Sequence, residues 1–409
     1  MLRWTMTEFR TTYIHDRDQW PHLTWDSAVL APQLAKIHFA RGELMGQLSL
    51  MGFSTQENSM LDTLVQDVTR SSRIEGEVLD DAQVRSSVAR RLGLPIAGLP
   101  EPARHVEGVV AMTLDATQQY QAPLDAERLY RWHHALFPHG VDDNLQPLQT
   151  GRWRETEMEV VNNNMSRRTV HFEAPSPARV QQEMETFLQW FNSEQDLDPV
   201  IKAGLAHIHF LTIHPFEDGN GRIARALTDL LLARADGRRE RYYSLSRQIE
   251  QRRAEYYRVL EATQRSRTTD VTNWLGFYLD CLTAALTDAL ASLSRARARH
   301  LYFSRFADVP LEERAQRVLT RMFEPFEGKL NNKKYRSMTG VSDDTVTRDL
   351  KELVDAGMLI QVGRTKGTYY LLNLSGIPSA GLELYADTLY WFGGSAPVLT
   401  SSGVTSVRR

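Results

Sequence analysis

The stretch His214-Pro-Phe-Glu-Asp-Gly-Asn-Gly-Arg-Ile-Ala-Arg225 gathers an imidazole, two carboxylates, a glycine-flanked turn and two arginines within twelve residues. Ahead of it, Pro199 to Ile213 carries Ile201, Leu205, Ile208 and Leu211 at three- and four-residue spacing. With a proline where a helix begins, that spacing predicts a helix. After it, Ile223, Ala226, Leu227, Leu230 and Leu231 form one apolar stripe of a second helix. The stretch is therefore the turn of a helical hairpin, and the fold class it sets is mainly α. Arg222 and Arg225, three residues apart, flank the start of the second helix.

A helix start offers unpaired N–H groups and the positive end of the dipole. Gly219 and Gly221 let a polyphosphate approach that backbone without a Cβ in the way. Asp218 supplies a hard oxygen suited to Mg²⁺, which binds through one or two carboxylates and the substrate's own phosphates. A neutral His214 is placed to take a proton from an attacking hydroxyl. Phe216 reads as a core anchor of the loop, and Glu217 points elsewhere. Two rival readings exist. Gly219-Asn-Gly221-Arg-Ile-Ala224 fits a dinucleotide fingerprint, but helical periodicity ahead of it argues against the strand that fingerprint needs. His207, His209 and His214 would make a metal cluster on a strand, whereas on a helix His207 and His209 point apart and read as core or surface residues. No phosphate-loop or kinase motif occurs.

The run resembles the signature of Fic-domain proteins, H-x-F-x-[D/E]-G-N-[G/K]-R-x-x-R, at every defined position. The resemblance implies transfer of AMP from ATP to a protein hydroxyl, with His214 as base and Asp218 on Mg²⁺. It further implies that Gly219, Asn220 and Gly221 hold the α- and β-phosphates, Arg222 the phosphate chain and Arg225 the γ-phosphate. Upstream, Ser71, Glu75 and Gly76 resemble the family's inhibitory motif, [S/T]-x-x-x-E-[G/N], which implies that Glu75 pairs with Arg225 and keeps ATP unproductive. If the stretch is helical, Ser71 and Glu75 stand one turn apart, the hydroxyl bonding locally and the carboxylate reaching outward; the segment Ser71 to Leu94 ends in 85–91, a helix with basic residues on one side. By themselves Glu75 and Glu77 read as ordinary exposed acids.

Between the two motifs, Met158 to Val161 and Thr169 to Phe172 flank the asparagines 162–164 and predict a two-stranded hairpin. In Fic proteins the corresponding flap clamps an extended piece of the target by strand addition, a mode tolerant of sequence. That places Val160, Val161, Val170 and His171 at the target. Downstream, Tyr256 and Tyr257 are candidates for the nucleoside pocket, although aromatic pairs on helices more often pack in cores. Arg252 stands where many Fic proteins have asparagine, which leaves open whether ATP or another triphosphate is preferred.

The chain has 409 residues, 42% of them hydrophobic, with a net charge of -3. That is enough for two or three domains, and the charge argues against a surface given over to nucleic acid. The single Cys281 excludes an internal disulfide and suits a reducing cytosol. No leader and no membrane-spanning run are evident, so a cytoplasmic location is expected.

The expected organisation is an N-terminal helical extension at 1–105, a Fic core at 106–298, a winged-helix domain at 299–373 and a tail at 374–409. The third of these rests on helices expected at Leu311 to Pro325, Lys333 to Met338 and Ser342 to Ala356, followed by a two-stranded wing over 357–372. Thr345, Thr347, Arg348 and Lys351, with Arg364 and Lys366 on the wing, suit phosphates or base edges; Asp343, Asp344, Asp349 and Glu352 oppose them. A DNA or a protein partner therefore stays open there, as do docking of the apolar 384–392 stretch, self-association and self-modification. Two functional alternatives also stay open: removal of AMP by the same site, and a DNA-bound regulator that senses nucleotide.

Overall fold

The computed structural model describes residues 12–49, 51–95, 98–141, 146–164, 167–194, 196–324, 329–363, 367–377, 398–400 and 403–405. They fall into two compact units, one within 1–46 and 52–287 and a second within 47–51 and 288–409. The first begins with a short 3-10 turn at Ile14–Asp16, then α1 (Ser27–Ser49), α2 (Phe53–Ile74), α3 (Asp81–Leu92), α4 (Arg104–Gln118) and α5 (Ala126–Leu136). The antiparallel hairpin β1 (Glu159–Asn164) and β2 (Arg167–Glu173) follows, then α6 (Pro177–Asn192), α7 (Pro199–Ile213), α8 (Asn220–Asp236), α9 (Leu245–Gln251), α10 (Arg253–Gln264) and α11 (Thr272–Arg305).

The α7–α8 hairpin is the centre of this unit. Asp198 caps α7, its carboxylate accepting from the Val200 N–H at 2.8 Å, and Pro199 occupies the first helical position. Every residue of α7 from Val200 to Ile213 except Lys202 is buried, which is why its pattern is apolar all round rather than striped. Helix α8 starts at Gly219 (φ 78) and ends at Gly237 (φ 64), both left-handed. Trp274 on α11 donates to the Gly204 carbonyl at 2.8 Å. A Cβ at Gly204 would lie 2.7 Å from the Tyr278 ring, so that close packing requires the glycine.

The helical pattern from Ser71 to Leu94 resolves into the end of α2 and the whole of α3. Helix α2 stops at Ile74, and the chain reverses at Gly76, whose φ is 99. The Glu77 N–H bonds the Ser72 carbonyl and the Gly76 N–H the Arg73 carbonyl, both at 3.1 Å. This pair of bonds is a Schellman cap, for which glycine is the favoured left-handed residue. Helix α3 has its own start, Asp80 accepting from the Gln83 N–H at 2.8 Å.

In the flap, Val161 pairs with Val170 and Glu159 with Glu173, with a register shift between Val160 and Val161. The asparagines expected in the turn belong to β1 through Asn164. The N-terminal helices and the core share one compact unit, and the division between the two units lies at 287/288, inside α11.

The second unit holds α12 (Glu313–Arg321), α13 (Asn332–Thr339) and α14 (Asp343–Asp355), then the antiparallel pair β3 (Leu359–Val362) and β4 (Tyr369–Leu372), with β5 (Val398–Thr400) and β6 (Gly403–Thr405) pairing near the end. Its core includes Tyr302, Leu319, Tyr335, Val346, Leu350 and Met358. Asp349, expected among the surface acids, is buried: it receives two bonds from Arg314, at 2.8 and 3.0 Å, and one from the Tyr335 hydroxyl at 3.0 Å. Thr347, Arg348 and Lys351 are exposed on α14. Arg364, Lys366 and the 384–392 stretch lie outside the described residues. Among the described residues no helix is long and apolar enough to cross a membrane.

Candidate active site

His214 follows the last residue of α7 in a left-handed conformation (φ 52, ψ 59), the only non-glycine with positive φ among the described residues. That conformation costs an L-residue about 1–2 kcal/mol, and strain of this kind clusters at functional sites. Its Nδ1 lies 3.3 Å from the Leu211 carbonyl. A carbonyl only accepts, so Nδ1 carries the proton and Nε2 keeps the lone pair. Burial pushes the imidazole pKa down to about 4; the Leu211 carbonyl and Glu75 oppose the shift and Arg154 adds to it. At neutral pH the side chain is a free base.

The loop after His214 is closed from within. Phe216 is fully buried and stacks on His133 with ring centres 4.2 Å apart. Asn220, 2% exposed, accepts from the Phe216 N–H at 3.0 Å and donates to the Phe216 carbonyl at 2.8 Å. Both polar ends of that amide are thus committed to the loop, whereas the sequence assigned Asn220 to phosphate. Glu217 turns to the segment before the flap, accepting from the Gln149 N–H at 3.2 Å. Asp218 is half-buried, and its Oδ1 accepts from the Gly219 N–H at 2.5 Å. A Cβ at Gly219 would come within 2.9 Å of the Phe137 ring. Both space and backbone angle therefore call for glycine there.

The first turn of α8 presents its N–H groups beside both arginines, each 2% exposed, and acids from the end of α2 meet them. Arg225 donates from Nε to the Ser71 hydroxyl at 2.8 Å and from Nη2 to the Ser71 carbonyl at 2.9 Å. Its Nη1 lies 2.7 Å from Glu75 Oε1. The Ser71 hydroxyl, expected to bond within its own helix, is an acceptor for Arg225 instead. Glu77 meets Arg222 at 3.1 Å, and Arg222 also lies over the Phe137 ring at 4.9 Å.

A Cβ on Gly221 would fall 2.1 Å from Glu75 Oε1, so the carboxylate rests on the helix start where an anion is favoured. Burial alone would raise the Glu75 pKa, but Arg225, Arg222 and the Tyr257 hydroxyl together lower it. Glu77 was not recognised as a site residue. Its signal was the glycine between two acids, because the reversal at Gly76 turns both toward α8.

The other candidates separate. The Tyr257 hydroxyl sits 3.2 Å from both the Ile74 carbonyl and Glu75 Oε2, and it is 37% exposed. Tyr256 is buried, its hydroxyl 2.9 Å from His207 Nε2, with Thr228 Oγ1 2.9 Å from the opposite ring nitrogen. It belongs to the packing beneath Arg225 rather than to an open pocket wall. Arg252 bonds Glu255 at 2.8 Å and lies over Phe277, which ties it to α10 and α11. His209 packs edge-on against Trp20 and Phe187. In the flap, Val160 is exposed, Val161 and Val170 pair through the backbone, and His171 bonds Glu261 at 2.8 Å.

Among the described residues no group of three or more potential ligands forms a metal cage. Asp218 is a single carboxylate pinned beside the anion-favouring helix start. This donor set fits Mg²⁺ carried mainly by phosphate oxygens.

Residues 123–232 match the family model described as the Fic/DOC family, and residues 13–94 match a domain of unknown function, DUF4172. The chain is 28% identical over 219 residues to a protein adenylyltransferase Fic of Drosophila grimshawi, covering 53% of this chain and 41% of that one. It is 28% identical over 221 residues to protein adenylyltransferase fic-1 of Caenorhabditis elegans, covering 51% and 39%. It thus spans about two fifths of the length of these relatives. A Fic family protein structure from Desulfovibrio desulfuricans is similar at 21% identity and a TM-score of 0.47, covering 85% of this chain and 97% of that one.

Proposed function

We propose that this chain, which carries a Fic/DOC family domain at residues 123–232, is a protein adenylyltransferase held off by its own α2. The observation that carries the reading is the Glu75 carboxylate resting on Gly221 and Arg225, in the place the first turn of α8 offers to an anion. An ATP phosphate would take that place when Glu75 swings away. Arg225 and the N–H groups of α8 then meet the phosphates, and Arg222 follows when Glu77 releases it. Asp218 would hold Mg²⁺, which supplies charge neutralisation on the phosphate oxygens. Asn220 acts indirectly, by keeping the loop closed.

In the reaction the target hydroxyl oxygen bonds the α-phosphorus while the bond from that phosphorus to the bridging oxygen breaks. Pyrophosphate leaves, and the hydroxyl proton passes to His214 Nε2. The base is positioned as a neutral imidazole, with Nδ1 tied to the Leu211 carbonyl. Val160, Val161, Val170 and His171 lie on the flap, where an extended target strand would add.

Glu75 blocks one side of Arg225 only, because Nε and Nη2 already bond Ser71. A side-chain swing at Glu75 is therefore sufficient for relief, and α2 can stay docked. The test is label transfer from α-labelled ATP with Mg²⁺ to the chain itself or to lysate protein, by wild type and Glu75→Ala. Transfer raised by the substitution supports the reading. A Glu75→Ala protein that binds ATP yet transfers nothing, and has lost the ability to strip AMP from modified protein, would favour AMP removal by the same site.

The second unit we read as a helix-turn-helix with a wing, α13 and α14 forming the motif and β3–β4 the wing. Exposed Thr347, Arg348 and Lys351 on α14 suit a polyanionic partner. Burial of Asp349 removes one of the four acids that opposed this. Salt-dependent retention on duplex DNA, lost in Arg348→Ala with Lys351→Ala, tests it.

A further inference from the structure

We propose that Arg154 is a positioning residue that locks the base of the flap to the catalytic loop, so that a target strand docked on the flap meets His214 at a fixed height. The inference rests on the transfer reading above and concerns the placement of the acceptor.

Arg154 is 2% exposed, and among the described residues no carboxylate pairs with it. Buried arginines are ordinarily paired, since an isolated charge is costly to desolvate. Here carbonyl oxygens replace the counter-ion. Nε donates to the His214 carbonyl at 2.7 Å, Nη1 to the Thr156 carbonyl at 2.8 Å, and Nη2 to the Pro175 carbonyl and, at 3.5 Å, to Ile213. The backbone N–H of Arg154 itself bonds the Pro215 carbonyl at 2.8 Å.

These acceptors belong to three separate segments. Thr156 leads into β1, Pro175 follows β2, and residues 213–215 carry the base. One planar guanidinium with its donors in a fixed fork joins them. The carbonyl it holds at 2.7 Å belongs to the one non-glycine residue in the left-handed region among the described residues, so the same contact supports the strained backbone that aims the imidazole. Burial holds the Arg154 pKa down at about 10, which leaves it charged at neutral pH. A lysine keeps that charge but has no fork with which to reach three segments at once.

The test uses the full chain carrying Glu75→Ala, with and without Arg154→Lys, and Arg154→Gln as a second variant should the lysine protein not fold. Three quantities are read: Mg²⁺–ATP affinity by calorimetry, label transfer from α-labelled ATP to lysate protein, and hydrogen–deuterium exchange along the chain. Expected are an ATP affinity within about threefold, transfer reduced at least tenfold, and faster exchange at 156–160, 170–175 and 214–216 with α8 still protected. Unchanged transfer, or unchanged exchange in those segments, overturns the proposal. So does acceleration spread evenly through α7 and α8, which would make Arg154 a general stabiliser. If Glu75→Ala alone transfers nothing, the transfer reading fails, and the exchange pattern still decides whether Arg154 couples flap and loop.

Discussion

Replacing Glu75 by alanine removes the carboxylate that rests 2.7 Å from Arg225 Nη1 and over the start of α8. At an effective dielectric of about 20, two unit charges at that separation attract by roughly 6 kcal/mol before desolvation is counted. Arg225 is buried and Glu75 has 26% of its side chain exposed, so much of that attraction is offset. A hydrogen bond to a charged group is worth about 1.5–3 kcal/mol net. ATP must displace this contact to reach Arg225, so Glu75→Ala should tighten Mg²⁺–ATP roughly ten- to hundredfold, at about 1.4 kcal/mol per decade. AMP, with a single phosphate, gains less because it does not engage Arg225. Titration calorimetry of both nucleotides with both proteins checks this. An ATP affinity unchanged by the substitution, or an equal gain for AMP, would refute the placement of the γ-phosphate at Arg225.

The neighbouring acid should act in the same direction more weakly: Glu77→Ala, freeing one contact of 3.1 Å on Arg222, is expected to raise ATP affinity about three- to tenfold by the same calorimetry. Gly221→Ala should change sign with its background. In wild type the new Cβ meets Glu75 Oε1 and the ion pair is lost, outweighing the roughly 1 kcal/mol that alanine gains over glycine in a helix. In Glu75→Ala the carboxylate is gone and the one remaining close neighbour, the Arg225 Nη1 end 3.2 Å from the new Cβ, need give by only a few tenths of an ångström, so thermal melting should show stabilisation. Burial pushes His133 down to about 4 and His207 and His209 to about 3, against about 6.5 in an unfolded chain. Below pH 6.5 the unfolded chain takes up protons that the native one refuses, so stability falls as pH is lowered. Each of the three should cost about 1.4 kcal/mol at pH 5.5, visible as a lower urea midpoint than at pH 7.5. The lowered pKa of Glu75 acts in the same sense at lower pH: its contribution is present above the usual carboxylate range and is lost as pH falls through and below that range.

The α7–loop–α8 hairpin was legible because every signal for it is local. Its start has a capping acid and a proline, its body a continuous apolar run, its end a glycine turn, and the observed bounds Pro199–Ile213 coincide with that pattern. The break at Gly76 is not assigned by the sequence, because a glycine after a glutamate is also tolerated inside a helix; the Schellman bonds to Ser72 and Arg73 decide it. What stayed hidden depends on long-range contacts. The Ser71 hydroxyl had a local carbonyl available and took Arg225, 154 residues away in sequence. Asn220 had a phosphate role by analogy and spends both ends of its amide on Phe216. Tyr256 turns inward to His207 while its neighbour Tyr257 faces Glu75, a split that helix geometry permits but spacing alone does not assign. Arg154 stands in a short tryptophan-containing segment ahead of the flap, and what it holds are backbone carbonyls of distant segments, which no residue pattern announces.

The measurement that goes most directly to the proposed activity is incorporation of α-labelled ATP into protein by Glu75→Ala and by Glu75→Ala with His214→Ala, both in Mg²⁺. Label that appears with the first protein and falls at least a hundredfold with the second, while calorimetry shows ATP bound equally by both, is the result expected of AMP transfer with His214 as base. Equal labelling by the two proteins, or none by either with ATP bound, would contradict it.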